Sequence, residues 1–343
     1  MRALICGYYG EHNLGDDALL EVLLEQLPAG CLPLVTAHDQ ALVRERFGVE
    51  TTDRRRLGGV LAALGRCDAL VLGGGSLLQD ATSFLSLLYY GALMLAARTR
   101  GKPVILWGQG LGPLRRRRSR ALVRGLLPLA TAISWRDQAS AAQARAWGVE
   151  AALGSDPVWA LPAQIWSGRG GPIVLCFRPV HQLNGPTWTP YLQALEGLAL
   201  AADREVLWLP FHQDQDRGLL ARLIDEGLVG PALAGRSREL TASTPEEAMA
   251  AFRQAGLVLA MRLHGLILAA LAGSPCAALS YDPKVSAAAA SMGCPCQALE
   301  APPPGTLQAS WAAVLDTPPN PQGIAALQQD SQVHRRVLEA LGA

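Results

Sequence analysis

Short apolar runs alternate with longer amphipathic stretches along most of the chain. In the first half the apolar runs fall at residues 3–6, 32–37, 69–74, 103–108 and 131–135. In the second half they fall at residues 172–177, 205–211, 257–261 and 276–281. Such alternation is typical of βαβ units, in which helices cover both faces of a parallel sheet. The pattern predicts an α/β fold with two doubly wound parallel-sheet domains that face a cleft.

A stretch rich in glycine and proline separates the two series of apolar runs. It spans residues 161–172, lacks periodicity and indicates a linker. Within the second series, Thr244, Pro245 and Glu247 have the spacing of a capped helix start. We expect a Rossmann-like domain over 1–160, a second one over 172–320, and a C-terminal helix within 321–343 that packs back on the first.

Composition excludes several classes of protein. Half of the residues are hydrophobic and 17% are charged, which is ordinary for a globular chain. The apolar N-terminal stretch is too short for a signal peptide, and no run approaches the roughly 20 apolar residues that cross a bilayer. Seven cysteines without CxxC pairs fit reduced thiols rather than a zinc site. These features predict a cytoplasmic protein without a bound metal.

Two arginine-rich runs stand out although the net charge is only +1. They are DRRR at 53–56 and LRRRRSR at 114–120. No aromatic residues are interleaved with them, so we expect no nucleic-acid partner. If the runs share a face they suit a peripheral contact with a membrane surface or a lipid diphosphate, whereas solvated loops are the alternative.

Cationic or titratable side chains follow the strand candidates. Ligands of doubly wound sheets bind outside the carboxyl ends of the strands, so these side chains are candidates for a binding site. Arginine and lysine together suit a small anion with phosphate and carboxylate groups, and histidine suits proton transfer near neutral pH. The alternative is that the arginines are solvated or pair with neighbours such as Asp137 and Asp282. The candidates are Arg136, Arg178, His212, Arg262, His264 and Lys284.

A second group of polar residues suits sugar hydroxyls. The segment 7–20 has glycines without the GxGxxG spacing of a dinucleotide site, and its two aspartates would occupy the first turn of a helix, where they repel phosphate. Glycine-rich loops at 73–80 and 107–113 would let a ligand approach the backbone. Helix capping and tight turns are the alternatives. The candidates are Tyr8, Asn13, Asp16, Asp17, Gln79, Asp80 and Gln109.

An ordered set of motifs spans nearly the whole chain: GYYGEHNLGDDALL, GGGSLLQD, GQGLGP, SWRDQAS, SDPVW, MRLHGLILAAL and YDPKV. This set resembles the polysaccharide pyruvyl transferase family, in particular its bacterial cell-surface-anchoring branch. The resemblance implies a fold similar to the GT-B glycosyltransferases. It also implies transfer of the enolpyruvyl unit of phosphoenolpyruvate (PEP) to a sugar, which forms a pyruvate ketal and releases phosphate.

The resemblance also assigns roles to residues, with the acceptor on the first domain and the donor on the second. It implies that Arg136, Arg262 and His264 are catalytic, with His264 as the general acid and base. We expect the donor PEP to contact Arg136, Arg178, Arg262, Leu263, His264 and Lys284. The acceptor would contact Tyr8, Asn13, Asp16, Asp17, Gln79, Asp80, Gln109 and His212.

Two residues depart from the family pattern. Ser76 stands where a glycine is expected and Trp135 where an aliphatic residue is usual. We expect neither to touch the proposed charges, although Trp135 would reshape the pocket.

The acceptor and the location of the protein are implied by the family alone. They would be an N-acetylmannosamine unit of a cell-wall polysaccharide precursor, lipid-linked, at the inner membrane face. In the family the ketal anchors surface-layer-homology domains. The chemistry requires no cofactor and no metal. The sequence leaves the oligomeric state open.

Three other functions remain open at this stage. A nucleotide-sugar glycosyltransferase of the same fold would also use cations against a diphosphate, but its ribose-binding carboxylate has only Glu300 as a candidate. A nicotinamide oxidoreductase would use Asp39 for the ribose, but the glycine spacing fails. A non-catalytic carbohydrate-binding protein leaves the cations unexplained.

Overall fold

Two parallel sheets, each in its own compact unit, organise the chain. The computed structural model describes residues 1–81, 83–301 and 303–342. The first unit contains Met1–Glu11, Asp16–Ala160 and the chain from Leu327 on. The second contains His12–Gly15 and Leu161–Ala326. Residues 12–15, which the sequence analysis included in the first domain, therefore group with the second unit.

The first sheet has seven parallel strands in the order β3-β2-β1-β4-β5-β6-β7. Its strands are β1 (Arg2–Tyr9), β2 (Leu32–Ala37), β3 (Glu50–Asp53), β4 (Ala69–Leu78), β5 (Val104–Leu111), β6 (Ala132–Trp135) and β7 (Ala152–Leu153). The helices along this part are α1 (Leu14–Gln26), α2 (Gln40–Phe47), α3 (Leu57–Gly65), α4 (Phe84–Thr99), α5 (Arg117–Leu126) and α6 (Gln138–Arg145).

The second sheet has six parallel strands in the order β10-β9-β8-β11-β12-β13. Its strands are β8 (Ile173–Cys176), β9 (Val206–Trp208), β10 (Ser237–Glu239), β11 (Leu257–Ala260), β12 (Cys276–Ser280) and β13 (Cys296–Ala298). The helices are α7 (Thr189–Ala201), α8 (Gln213–Asp216), α9 (Leu219–Asp225), α10 (Pro231–Ala234), α11 (Pro245–Arg253), α12 (Leu263–Leu271), α13 (Pro283–Met292) and α14 (Leu307–Val314). The predicted α/β class with two doubly wound parallel sheets is confirmed.

Buried central strands carry each core. Every residue of β5, β8, β11 and β12 is buried, and helices pack on these strands. The predicted start of α11 is also confirmed: the Thr244 hydroxyl accepts a hydrogen bond from the Glu247 N–H at 3.0 Å, and the Glu247 carboxylate accepts from the Ser243 N–H at 2.7 Å. The first contact satisfies a backbone donor that the first helical turn leaves without a partner, and the second ties the residue before the N-cap to the helix.

The C-terminal segment contains α15 (Pro321–Ser331) and α16 (Val333–Leu338). His334 on α16 is fully buried in the first unit. Its Nδ1 lies 2.8 Å from the Ser134 hydroxyl and its Nε2 lies 2.6 Å from the Ser155 carbonyl oxygen. Burial lowers the pKa of this imidazole, an effect that the Ser155 carbonyl partly offsets. Ala343, the last residue of the predicted closing helix, lies outside the described residues.

Among the residues that the structure describes, no helix combines the length and the apolar character needed to cross a membrane.

Candidate functional site

The carboxyl edge of the second sheet collects the predicted cations of that unit. Four adjacent strands, β9, β8, β11 and β12, are followed by His212, Arg178, Arg262 and Lys284. Strand order reverses between β8 and β11, because the chain proceeds outward to β9 and β10 on one side and to β12 and β13 on the other. Ligands of open α/β sheets bind at such a switch point. Arg178 and Arg262 flank it.

Arg262 is held in place by a buried carboxylate. The N-cap of α12 is Arg262, whose Nε donates to Asp216 Oδ2 at 3.0 Å while its Nη2 donates to Asp216 Oδ1. Asp216 is 2% exposed and also accepts a hydrogen bond from the His212 backbone N–H. The bidentate pair fixes the plane of the guanidinium.

Gln215 joins the two arginines of the switch point. Its Oε1 accepts hydrogen bonds from Arg178 Nη2 and Arg262 Nη2, both at 3.1 Å. Arg178 Nη1 donates to the Tyr281 hydroxyl at 2.9 Å. Two cationic groups thus share one neutral acceptor, an arrangement that suits a bound anion.

His212 is buried beside this pair of arginines. It is 5% exposed, and Nδ1 has no hydrogen-bond partner among the described residues. Burial lowers the pKa of the imidazole, and the Arg262 charge lowers it further, against an opposing effect of Asp216. The ring is therefore favoured in its neutral form, which can accept a proton or a hydrogen bond.

His264 and Leu263 begin α12, directly after Arg262. The backbone of Gly15 lies against the His264 ring, since a Cβ on Gly15 would come within 2.2 Å of Nδ1. No other residue type fits Gly15 without displacing the imidazole. The segment that holds Gly15, His12–Gly15, is part of the same unit.

This short segment also brings Asn13 to His212. The two residues form an antiparallel bridge, the Leu14 N–H donates to the Phe211 carbonyl at 3.1 Å, and the Gln213 N–H donates to the His12 carbonyl at 3.0 Å. Asn13 and His212, both predicted to contact the acceptor, are therefore neighbours. The sequence did not predict this pairing because 199 positions separate Asn13 from His212.

Lys284 occupies the first turn of α13, at the carboxyl end of β12. Its backbone N–H donates to Asp282 Oδ1 at 2.9 Å, so Asp282 caps the helix. Asp137 likewise caps α6 by accepting from the Ser140 N–H at 2.7 Å. The alternative that the arginines pair with carboxylates therefore holds for Arg136 and Arg262, but the partners are Asp156 and Asp216 rather than Asp137 and Asp282.

Arg136, the predicted cation of the first unit, follows β6 and is 8% exposed. Its Nη1 donates to Asp156 Oδ2 at 2.8 Å and its Nη2 donates to the Ser76 hydroxyl at 3.3 Å. The expectation that Ser76 does not touch the proposed charges is therefore wrong. The hydroxyl gives Arg136 an acceptor that a glycine lacks. A Cβ on Gly110 would come within 2.5 Å of the Ser76 hydroxyl and 3.1 Å of Arg136 Nε.

The glycine-rich segments that were expected to be loops lie largely within strands. Residues 73–78 belong to β4 and residues 107–111 to β5. A Cβ on Gly73 would come within 2.3 Å of the Tyr9 hydroxyl, so the glycine makes room for a buried side chain rather than for a ligand.

Gln109 and Trp135 also differ from expectation. Gln109 is fully buried and its amide donates to the Leu72 and Trp107 carbonyls, so the predicted contact with an acceptor is wrong. Trp135 is 1% exposed and packs in the hydrophobic core of the first unit. It therefore does not shape a ligand pocket.

Gln79 and Asp80 follow β4. Gln79 is half-buried and its Oε1 accepts from the Ala81 N–H at 2.6 Å. Asp80 is buried and its two oxygens accept from the Arg115 and Arg116 backbone N–H groups at 2.8 and 2.9 Å. Burial raises the pKa of Asp80, but these donors outweigh it and hold the pKa below its usual value. Asp80 thus organises the entry to α5, a role that the sequence did not predict.

Tyr8 and Asp17 have cationic neighbours in the first unit. Tyr8 is 43% exposed and the Arg54 guanidinium lies 4.1 Å from its ring centroid. Arg54 is ion-paired with Glu11. Asp16 and Asp17 are in the first turn of α1 as predicted, and buried Asp17 pairs with Arg46 at 2.9 Å.

The residues that sequence reasoning missed are the acceptors that position the arginines. Asp216 and Gln215 lie on α8, just after His212, and Asp156 lies in the SDPVW motif. Asp156 is 20 positions from Arg136 and Asp216 is 46 positions from Arg262 along the chain, so the sequence carried no signal for either pair. Which arginine each one contacts depends on tertiary structure.

One cavity of about 520 Å³ lies in the first unit, lined by Gln26, Leu27, Pro28, Ala29, Arg335, Glu339 and Gly342. None of these residues was predicted to bind a ligand. In the described parts of the chain no group of three or more His, Cys, Asp or Glu residues is arranged to hold a metal ion.

Comparison with known proteins gives a family and a fold. The family model for polysaccharide pyruvyl transferase matches residues 13–283. No curated protein matches the chain. Among solved structures, UDP-GlcNAc 2-epimerase from Methanocaldococcus jannaschii has a TM-score of 0.64 at 10% identity and covers 100% of this chain and 99% of its own.

Two further solved structures are similar over nearly their whole length. Acinetobacter baumannii MurG has a TM-score of 0.56 at 13% identity and covers 99% of both chains. HepE from Anabaena, in complex with UDP and glucose, has a TM-score of 0.61 at 14% identity and covers 100% of this chain and 99% of its own. At these identities the likeness concerns the fold alone, which is GT-B-like.

Proposed function

Because the chain belongs to the polysaccharide pyruvyl transferase family, we propose that it transfers the pyruvyl unit of PEP to a saccharide, forming a ketal and releasing phosphate. The observation that carries this proposal is the pair Arg178 and Arg262 at the switch point, joined through Gln215 and braced by Asp216. The pair provides guanidinium groups in fixed orientations at the edge of the sheet where ligands bind.

PEP carries a carboxylate and a phosphate ester on the same carbon, C2. A protein that binds both groups therefore needs several cationic side chains. Arg262 and Arg178 suit the planar carboxylate or two phosphate oxygens, and Lys284 supplies a point charge at the next strand. Leu263 would contact the donor from the first turn of α12. Arg136, already oriented by Asp156 and Ser76, has the donor-binding role that the family resemblance implies.

The reaction adds one proton to carbon and one to the departing phosphate, and it removes one proton from each of two hydroxyls. A proton added to the methylene carbon of PEP gives C2 oxocarbenium character, and one sugar hydroxyl attacks C2. The C2–O bond to phosphate then breaks and a second hydroxyl of the same sugar closes the ketal. The two hydroxyl protons balance the one taken up by carbon and the one that leaves with phosphate. His264, positioned against Gly15, is the proposed acid and base, and the arginines stabilise the departing phosphate.

The acceptor belongs to the proposal as well. Asn13 and His212, which are neighbours, would contact the saccharide, as would Tyr8, Asp16 and Gln79. Asp17, paired with Arg46, would act by orienting the start of α1. We propose N-acetylmannosamine within a lipid-linked cell-wall precursor, a cytoplasmic location at the inner membrane face, and surface-layer anchoring as the use of the ketal. The chemistry uses neither a metal nor a cofactor.

Phosphate release from PEP tests the reaction class. We expect release that depends on a β-linked N-acetylmannosaminide, with a pyruvyl mass gain of the sugar by mass spectrometry. Binding of PEP without release, over a panel of saccharides, would contradict the transfer reaction. Calorimetric binding of a UDP-sugar together with no binding of PEP would favour the nucleotide-sugar glycosyltransferase instead.

The role of His264 is tested separately. We expect His264→Ala to lower kcat by about 10²- to 10⁴-fold, because a positioned acid or base contributes that much, while PEP still binds by calorimetry. His181→Ala, at an exposed histidine of the same unit, is the matched control and should leave kcat unchanged. An active His264→Ala variant would remove this residue from the mechanism.

A further inference from the structure

One helix of the first unit exposes a stripe of leucines. Leu85, Leu88 and Leu95 on α4 are 73%, 43% and 54% exposed. Their spacings of three and seven residues place them on one face of the helix. Full burial of a leucine side chain is worth about 1.5–3 kcal/mol. Within the chain, Leu85 lacks most of this stabilisation and Leu88 and Leu95 lack about half of it.

The chain around this stripe is basic and lacks carboxylates. No aspartate or glutamate occurs between Asp80 and Asp137. Asp80 itself is buried and bonded to backbone N–H groups. Eight arginines in the interval are exposed: Arg98, Arg100, Arg115, Arg116, Arg117, Arg118, Arg120 and Arg124. Together with Leu85, Leu88 and Leu95 they form what we term the α4–α5 surface.

The arginine run of the α4–α5 surface lies against the start of α4. The Arg118 guanidinium lies 4.3 Å from the centroid of the Phe84 ring, which begins α4. A Cβ on Gly91 of α4 would come within 3.1 Å of Leu126 of α5, so the helices pack closely. The basic entry to α5 therefore lies beside the leucines at the start of α4.

Folding alone does not account for these arginines. The first residues of α5 are Arg117 and Arg118, and its N-cap Arg116 makes no side-chain capping bond. Cations at a helix N-terminus oppose the helix dipole, whereas anions there are stabilising. The positions are thus unfavourable for the isolated chain and favourable next to an anionic surface.

We propose that the α4–α5 surface docks on an anionic lipid bilayer, with the leucines in the headgroup region and the arginines on lipid phosphates. Basic side chains near an anionic bilayer contribute about 1 kcal/mol each, and shallow insertion of apolar side chains adds to this. A bilayer offers negative charge over the whole area that eight arginines occupy, which is why it fits better than a compact acidic ligand.

The orientation of the surface has a consequence for substrate delivery. Because β4 and β5 are parallel, α4 and α5 both begin at the carboxyl edge of the first sheet, where Gln79 and Arg136 also lie. Docking would bring that edge close to the lipid. This last point rests on the proposed lipid-linked acceptor; the docking itself does not.

Vesicle co-sedimentation of the full-length protein, without PEP or saccharide, tests the docking. We expect binding to vesicles with about one third phosphatidylglycerol, weak binding to phosphatidylcholine alone, and loss of binding as salt rises. Replacing Leu85, Leu88 and Leu95 by Gln should lower partitioning at least about tenfold. Replacing Arg115, Arg117 and Arg120 by Gln should do the same at low salt.

Matched controls use exposed residues of the second unit. Leu200→Gln with Ile224→Gln removes exposed apolar surface, and Gln at Arg169, Arg222 and Arg253 removes the same charge; neither set should alter binding. Circular dichroism checks that all variants fold.

Failure to bind phosphatidylglycerol vesicles, or equal losses in the test and control variants, would overturn the proposal. So would self-association in solution that the leucine variants abolish, because the surface would then be an interface between copies. Since no substrate is present, none of these results bears on the transfer reaction.

Discussion

At the scale of single residues, the buried carboxylate of Asp216 orients the Arg262 guanidinium in the second unit. Asp216 accepts two hydrogen bonds from Arg262 and one from the His212 backbone. A buried ion pair adds little net stability after desolvation, but loss of one partner is costly. We therefore expect the Asp216–Arg262 pair to contribute to the orientation of Arg262 rather than to the stability of the fold.

Asp216→Asn should raise the KM for PEP about tenfold or more, because hydrogen bonds to charged groups are worth about 1.5–3 kcal/mol. The value of kcat should change less, since Asp216 acts through Arg262 and has no proton to transfer. Steady-state kinetics with PEP separate the two constants.

Asp214→Asn is the control, at an exposed aspartate two residues away. A fall in kcat without a change in KM for Asp216→Asn would contradict the positioning role.

At the scale of elements, the central strands depend on glycine for close packing. Gly73 on β4 faces Tyr9 and Leu23, both of which are buried. A glycine-rich sequence after an apolar run suggests a loop. In β4 the strand instead continues through the glycines, and side chains such as Tyr9 and Leu23 occupy the space that a Cβ on Gly73 would need.

Gly73→Ala should destabilise the protein by about 1–3 kcal/mol, the usual cost of overpacking a core. Gly58→Ala, on α3 with nothing within 4 Å of the new Cβ, should instead stabilise by up to about 1 kcal/mol through helix propensity. Urea unfolding of both variants measures the difference. Equal effects of the two substitutions would show that the space around Gly73 is not limiting.

Central elements were predictable from sequence and edge elements were not. The nine predicted strands all occur, whereas β3, β7, β10 and β13 were missed. All four are the outermost strands of their sheets, and β7 has only two residues. Edge strands are short and half-exposed, so they lack the apolar run that reveals a buried strand.

The candidate site was predictable in part: the sequence located its cations but not the residues that hold them. Strand ends are visible in sequence, which located Arg178, Arg262 and Lys284 at one edge. Partners from distant segments are not visible, which is why Asp216 beside Arg262 and Ser76 beside Arg136 were missed. Gln109 was mistaken for an exposed residue because its strand was expected to end earlier.

At the scale of the whole molecule, neither unit is one continuous stretch of chain. The second unit includes His12–Gly15, and the first is completed by the chain from Leu327 on. His334 secures this C-terminal segment through the Ser134 hydroxyl and the Ser155 carbonyl.

Acid should weaken this attachment. Burial lowers the pKa of His334 in the folded protein below its usual value near 6.5, so the unfolded chain binds more protons as the pH falls through that value. The free energy of unfolding should therefore decrease from about pH 7 downward, until the pH passes the folded pKa. Thermal unfolding between about pH 8 and pH 5 measures this.

His334→Asn should have a lower Tm at high pH and a smaller loss of Tm on acidification, because the titrating group is gone. His181→Asn, at an exposed histidine, should follow the unmodified protein at every pH. Parallel pH profiles for all three proteins would contradict the assignment of the acid sensitivity to His334.

The interleaved order of the segments has a consequence for folding during synthesis. Domains usually fold from the N-terminus as the ribosome releases them. Here the second unit has all of its residues once Ala326 has been translated, whereas the first unit, whose sheet is made first, still lacks α16 and the buried imidazole that secures it. The unit whose sheet is translated first is therefore the later of the two to have its whole sequence available.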